Sequence, residues 1–110
     1  MKNISWHFRR NVKRKNKKSK HKGHPALVIG ESDDRGSFIN IGLTHSQKRG
    51  HHKNIEIHDP VDWNKKSYLR DDIQIDLKEY LSEVLNDFNL CPEDIGKIME
   101  IIKKRIPTRR

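Results

Sequence analysis

Apolar and polar positions change period partway along the chain. Near the start, "ISWHF" (residues 4–8) has the character of a short strand. Ala26 to Ile29 is a compact apolar run. Pro25 stands at its entry, where a missing N–H is tolerated. "ESDDRGS" (31–37) is a turn cluster. Phe38 to Leu43 alternates and predicts a second strand of a hairpin. "NIEIHD" alternates at Ile55 and Ile57, and "SYLRDDIQIDL" has strand character at Tyr68, Leu69, Ile73 and Ile75. Polar loops at 45–53 and 59–66 separate these runs.

After residue 76 the spacing becomes helical. Leu77, Leu81, Val84, Leu85 and Phe88 follow a helical period. A second helix is predicted within "LCPEDIGKIMEIIKKRIP". Pro92 marks its start and Glu93 and Asp94 fill its first turn. Lys103, Lys104 and Arg105 occupy its last turn, and Pro107 stops it. Strands first and helices last predict an α+β fold, a small curled sheet covered by helices.

Charge adds an arm to this picture. Of 110 residues, 24 are Lys or Arg and 15 are Asp or Glu, a formal net charge of +9. Ten of the basic residues fall in 1–22, with no acid among them. Residues 23–110 carry fourteen basic and fifteen acidic residues and are close to neutral. The division is therefore a basic arm over 1–22, mobile or hairpin-like, and a folded domain over 23–110. Such a cationic segment points to a polyanion, foremost nucleic acid. Arg9, Arg10, Lys13 and Arg14 are its candidate RNA contacts; Trp6, His7 and Phe8 could stack on bases, or Trp6 and Phe8 could simply anchor the arm to the core.

Cys91 is the single cysteine, so no internal disulfide forms and a reducing compartment, the cytoplasm, is expected. No apolar run approaches the roughly 18 residues of a membrane span. No Cys/His spacing resembles a zinc module, and no Gly-rich phosphate loop or Ser elbow is present. Neither a metal nor a cofactor is expected.

The remaining chemistry suits a phosphodiester. Cleaving RNA through its own 2′-OH needs a base, an acid and cations on the phosphate. Imidazole serves acid/base roles near neutrality. Arg, Lys and hydroxyl groups hold phosphate oxygens. His24 enters the first strand of the hairpin. Thr44, His45, Ser46, Lys48, Arg49, His51, His52 and Lys53 follow the second, and Arg70 lies in a later strand.

These same segments, "GHPALVIGES", "SFINIGLTHSQKRGHHKNIEIHD" and "SYLRDDIQIDLKEYL", resemble the MazF/PemK-like toxins over roughly residues 23–106. That family has Gly-x-Arg-Pro before an apolar strand, a second strand closing in Thr, and a later strand leading to a C-terminal helix. "LTHSQKRGHH" is also similar, more loosely, to the ToxN/AbiQ toxins. The resemblance implies an SH3-like, PemK-like β-barrel with C-terminal helices and metal-independent endoribonuclease activity on single-stranded RNA. It implies a cognate antitoxin, protein or RNA, as partner, and it admits a homodimer. The family's catalytic pair is the Arg before Pro and the Thr. Thr44 matches the second, but His24 stands at the Arg position, and the basic arm with "ISWHF" replaces the family's usual opening strand. The residues also accommodate a non-catalytic nucleic-acid binder on the same fold, such as a phage or plasmid regulator or an inhibitor of a nucleic-acid-guided defence complex. A structural RNA binder of the translation machinery is a third reading.

Overall fold

The computed structural model describes residues 2–12, 23–49, 52–104 and 108–109. They form a small α+β domain with one C-terminal helix; its main sheet has six antiparallel strands and a short seventh, parallel one. The strands are β1 (Lys2–Asn11), β2 (His24–Glu31), β3 (Ser37–Thr44), β4 (Lys48–Arg49), β5 (His52–Lys53), β6 (Ile55–His58), β7 (Lys66–Leu69), β8 (Gln74–Leu77) and β9 (Thr108–Arg109). The main path runs β1-β2-β3-β7-β6. Strand β8 joins β3, and β9 pairs with β8 in parallel. Strands β4 and β5 make a separate two-residue ladder.

Strand β2 shows why "ALVI" is an unbroken apolar run. Leu27 and Ile29 face the main core with Phe8, Ile39, Ile41 and Leu69. Val28 points the other way, onto Phe38 and Leu81. A strand buried on both faces needs no polar alternation. Its hairpin with β3 turns through Ser32–Gly36. Ser32 Oγ donates to Asp34 Oδ1 at 2.6 Å, Gly36 N donates to the same oxygen at 2.8 Å, and Arg35 takes a positive φ of 62°. An Asp receiving the backbone N–H two residues on is the usual device of such turns.

The two edges of β3 serve different partners. One edge pairs with β2. The other is divided: Ser37–Asn40 pairs with β8, and Leu43–Thr44 pairs with β7. Residues Ile41 and Gly42 sit at the fork. "SYLRDDIQIDL" is thus two strands, parted at Arg70–Ile73, rather than one.

The N-terminal segment is more deeply built into the sheet than "ISWHF" suggests. Strand β1 pairs antiparallel with β2 from Lys2–Glu31 to Asn11–His24, with a register shift between Asn3 and His7, and Phe8 is buried. The rest of the expected arm, residues 13–22, lies outside the described residues. Gly23 re-enters the sheet at φ 95°. A Cβ there would stand 2.5 Å from the Asn11 carbonyl oxygen. Positive φ and a backbone approach of this kind both require glycine.

The helical spacing from Leu77 to Phe88 is not realised as an α-helix. After a single 3-10 turn (Lys78–Tyr80), the chain runs along the outer edge of β1. Ser82 N donates to Arg10 O at 2.9 Å, Leu85 N donates to Phe8 O at 2.8 Å, and Val12 N donates to Tyr80 O at 2.8 Å. Leu81 is bridged to Asn11. Those N–H groups satisfy a strand edge instead of closing an i−4 ladder, because an unpaired edge leaves a row of backbone groups unsatisfied. The second helix forms as expected. A 3-10 turn (Pro92–Asp94) opens into α1 (Ile95–Lys104), which buries Ile98 and Ile101 against the core. It is the single α-helix among the described residues, where two were expected. No described helix is long and apolar enough to cross a membrane.

Candidate functional site

The fork in the sheet opens a cavity of about 130 Å³. Strand register places its lining. His24 lies opposite Asn11 across β1 and β2. Gly42 lies opposite Ala26 across β2 and β3. Asn40 lies opposite Gln74 across β3 and β8. All of these line the cavity, together with Arg70, Asp76, Pro25 and Leu43.

The floor is a buried polar pair. Asn40 and Asp76 are 1% and 2% exposed, and Asn40 Nδ2 donates to Asp76 Oδ2 at 3.0 Å. Desolvating an amide and a carboxyl is costly unless they pair, so this contact holds both in one geometry. At the rim stand His24, which is exposed, and Asn11, Gln74 and Arg70, which are half-buried. Gln74 Nε2 donates to Asp72 Oδ2 at 3.4 Å.

Arg70 is aimed by a glycine. Its backbone N–H donates to Gly42 O at 2.9 Å. Its Cδ lies 3.1 Å from where a Gly42 side chain would begin. The arginine stem therefore lies over the bare backbone of Gly42, and Arg70 lines the cavity that His24 also lines. Two residues far apart in sequence, one expected in catalysis and one in RNA contact, thus share a cavity.

The other candidates sit around this centre. Thr44 adjoins cavity-lining Leu43, but its Oγ1 accepts the Ser46 N–H at 3.2 Å, so the hydroxyl caps the turn that follows. His45 and Ser46 are exposed. Asn54 pins this turn, donating from Nδ2 to Ser46 O at 2.9 Å and from N to Gln47 O at 3.0 Å. Beyond it, Lys48 pairs with Lys53 and Arg49 with His52 in the β4–β5 ladder. His51 lies outside the described residues, as do Lys13 and Arg14.

Arg9 and Arg10 have partners within the domain. Arg9 Nε donates to His7 Nε2 at 2.9 Å and NH1 donates to Ser82 O at 2.9 Å, with the guanidinium 4.8 Å from the Phe38 ring centre. Arg10 NH1 donates to Gly23 O at 3.2 Å. These contacts tie β1 to its neighbours. Trp6 and Phe8 likewise pack into the core cluster, as the anchoring alternative for them supposed.

Sequence reading missed Asn11, Asn40, Gln74 and Asp76. A signal existed for two of them: Asn40 and Asp76 interrupt apolar strand runs, and a polar residue in such a place must have a partner. Donor atoms suited to a cation gather elsewhere, at His58, Cys91 and Glu93, none of which lines the cavity. No family model matches the chain, and neither a curated protein nor a solved structure matches it.

Proposed function

We propose that the protein is a metal-independent endoribonuclease of the MazF/PemK-like kind, acting on single-stranded RNA at the cavity between β2, β3 and β8. The observation that carries this reading is the meeting of His24 and Arg70 in one cavity. The family resemblance left a histidine where an arginine is expected. Arg70 supplies a guanidinium to the same place from the break between β7 and β8. In this reading the curled barrel runs β1, β2, β3, β8 and the segment after it, closing where Leu81 meets Asn11. The divided edge of β3 and the Leu81–Asn11 bridge support it.

The proposed step is an in-line transesterification. The 2′ oxygen bonds to phosphorus as the P–O5′ bond breaks. His24 takes the 2′-OH proton, and a histidine of the 45–52 loop returns a proton to the departing 5′ oxygen. Arg70 neutralises the charge that builds on the non-bridging oxygens, the electrostatic contribution that dominates such reactions. Lys48, Arg49 and Ser46 engage flanking phosphates. The partners in this reading are RNA and an antitoxin that covers the cavity.

The test is cleavage of single-stranded RNA by the purified protein in EDTA, with far-UV circular dichroism confirming that the chelator leaves the fold intact. The expected product carries a 2′,3′-cyclic phosphate. His24→Ala and Arg70→Ala should each lower kcat/KM by about 10²–10⁴. Cleavage that survives in the double variant places the chemistry elsewhere. RNA that is bound but never cut makes the protein a non-catalytic binder.

A further inference from the structure

We propose a divalent-metal site at the entry to α1, formed by His58 Nε2, Cys91 Sγ and a carboxylate oxygen of Glu93, with Zn²⁺ as the fitting ion. It is independent of the ribonuclease reading and lies apart from the cavity. One donor atom from each of the three residues falls within 4.8 Å of the others. Tetrahedral Zn²⁺, with bonds of about 2.0–2.3 Å to N, O and S, holds its ligand atoms about 3.3–3.6 Å apart. The cluster therefore needs to contract by about 1 Å. Glu93 has room to take part in that movement, because its side chain is 80% exposed. Its Oε2 is already 3.7 Å from His58 Nε2.

The second observation is how His58 is held. Asp94 is fully buried, and its carboxylate faces the other ring nitrogen: Nδ1 is 3.1 Å from Oδ2. The same oxygen accepts the His58 backbone N–H at 2.8 Å. Lys97 Nζ lies 3.8 Å from Oδ1. A carboxylate on Nδ1 fixes the tautomer that leaves Nε2 as a lone-pair donor, which is the outer-shell arrangement of zinc-bound histidines. Nε2 thereby faces Glu93. A thiol, an imidazole and a carboxylate aimed at one point form a mixed donor set that borderline-soft Zn²⁺ accepts and that hard Mg²⁺ or Ca²⁺ does not. Three protein ligands leave a fourth position open to water on the exposed side. The ion would join the end of β6 to the first turn before α1.

Cobalt substitution tests the site directly. One equivalent of Co²⁺ added to the metal-free full-length protein should give a thiolate-to-cobalt charge-transfer band and the intense visible bands of a four-coordinate ion. One equivalent of Zn²⁺ should remove them. Cys91→Ser should abolish the charge-transfer band. Glu93→Gln changes an exposed side chain, so the fold persists, and Zn²⁺ affinity should fall at least tenfold. His51→Ala with His52→Ala should leave affinity unchanged. Zn²⁺ should raise Tm in the wild type and not in Cys91→Ser. Absence of the charge-transfer band at stoichiometric Co²⁺ overturns the proposal. So does Zn²⁺ affinity that ignores Glu93→Gln but is lost with the 51/52 pair.

Discussion

Replacing Phe8 by Ala tests whether the N-terminal segment is an integral strand or an appended arm. Phe8 is 1% exposed and lies opposite Leu27 in the β1–β2 ladder. Its ring centre is 5.6 Å from that of Phe88, and its carbonyl accepts the Leu85 N–H. Truncating a fully buried phenylalanine costs about 3–5 kcal/mol, from lost transfer free energy and the cavity left behind. Small domains are stable by about 5–15 kcal/mol, so the loss is a large share of the total. With a urea m-value of about 2 kcal/mol/M, the midpoint should fall by about 1.5–2.5 M at unchanged m. Equilibrium unfolding followed by tryptophan fluorescence measures it, since Trp6 reports from the same strand. A loss below about 1 kcal/mol would refute the reasoning and make β1 detachable from the core.

Other substitutions probe the cavity and its supports. Gly42→Ala should leave stability within about 1 kcal/mol, because only the flexible Arg70 stem must shift, yet lower RNA cleavage about tenfold or more by moving the guanidinium; parallel melts and kinetics separate the two effects. Asp76→Ala removes the nearer acceptor of the buried Asn40 amide, leaving only Phe38 O at 3.4 Å, and should cost about 1–3 kcal/mol in chemical denaturation. Gly23→Ala combines a positive φ with a 2.5 Å approach to Asn11 O, and its Tm should fall by the equivalent of more than about 1 kcal/mol. RNA affinity, measured by fluorescence anisotropy, should decline steeply and log-linearly with salt if the basic segment contacts phosphates.

Local pattern carried the parts of this fold that local forces build. The hairpin of β2 and β3 was legible in its apolar runs and its Ser–Asp turn. Helix α1 was legible in Pro92, the acidic first turn and the basic last turn. What failed was decided by distant partners. Leu77 to Phe88 has helical spacing, but its backbone goes to the edge of β1, and nothing within the segment announces that edge. The break at Arg70–Ile73 follows from β3 offering one half of an edge to β7 and the other to β8. The cavity was half legible for the same reason. His24 and Arg70 stand out by chemical type, but their meeting depends on the pairing of β2 with β3 and of β3 with β7. Asn40 and Asp76 stand out only as polar interruptions, and the His58–Cys91–Glu93 cluster crosses between β6 and α1 with no motif spacing to reveal it.

The contact between Phe8 and Leu85 also sets an order of events at the ribosome. Strand β1 is made before the segment that covers its outer edge, and that edge is fully paired only once residue 85 arrives. At about 5–20 residues per second, that interval is about 4–15 s. During it the nascent chain can zip β1 to β2 but displays a cationic strand with one bare edge, the feature that invites pairing with other chains. A nascent chain halted before Leu85 would therefore keep part of that edge bare, and the edge is covered only once Tyr80, Ser82 and Leu85 are in place.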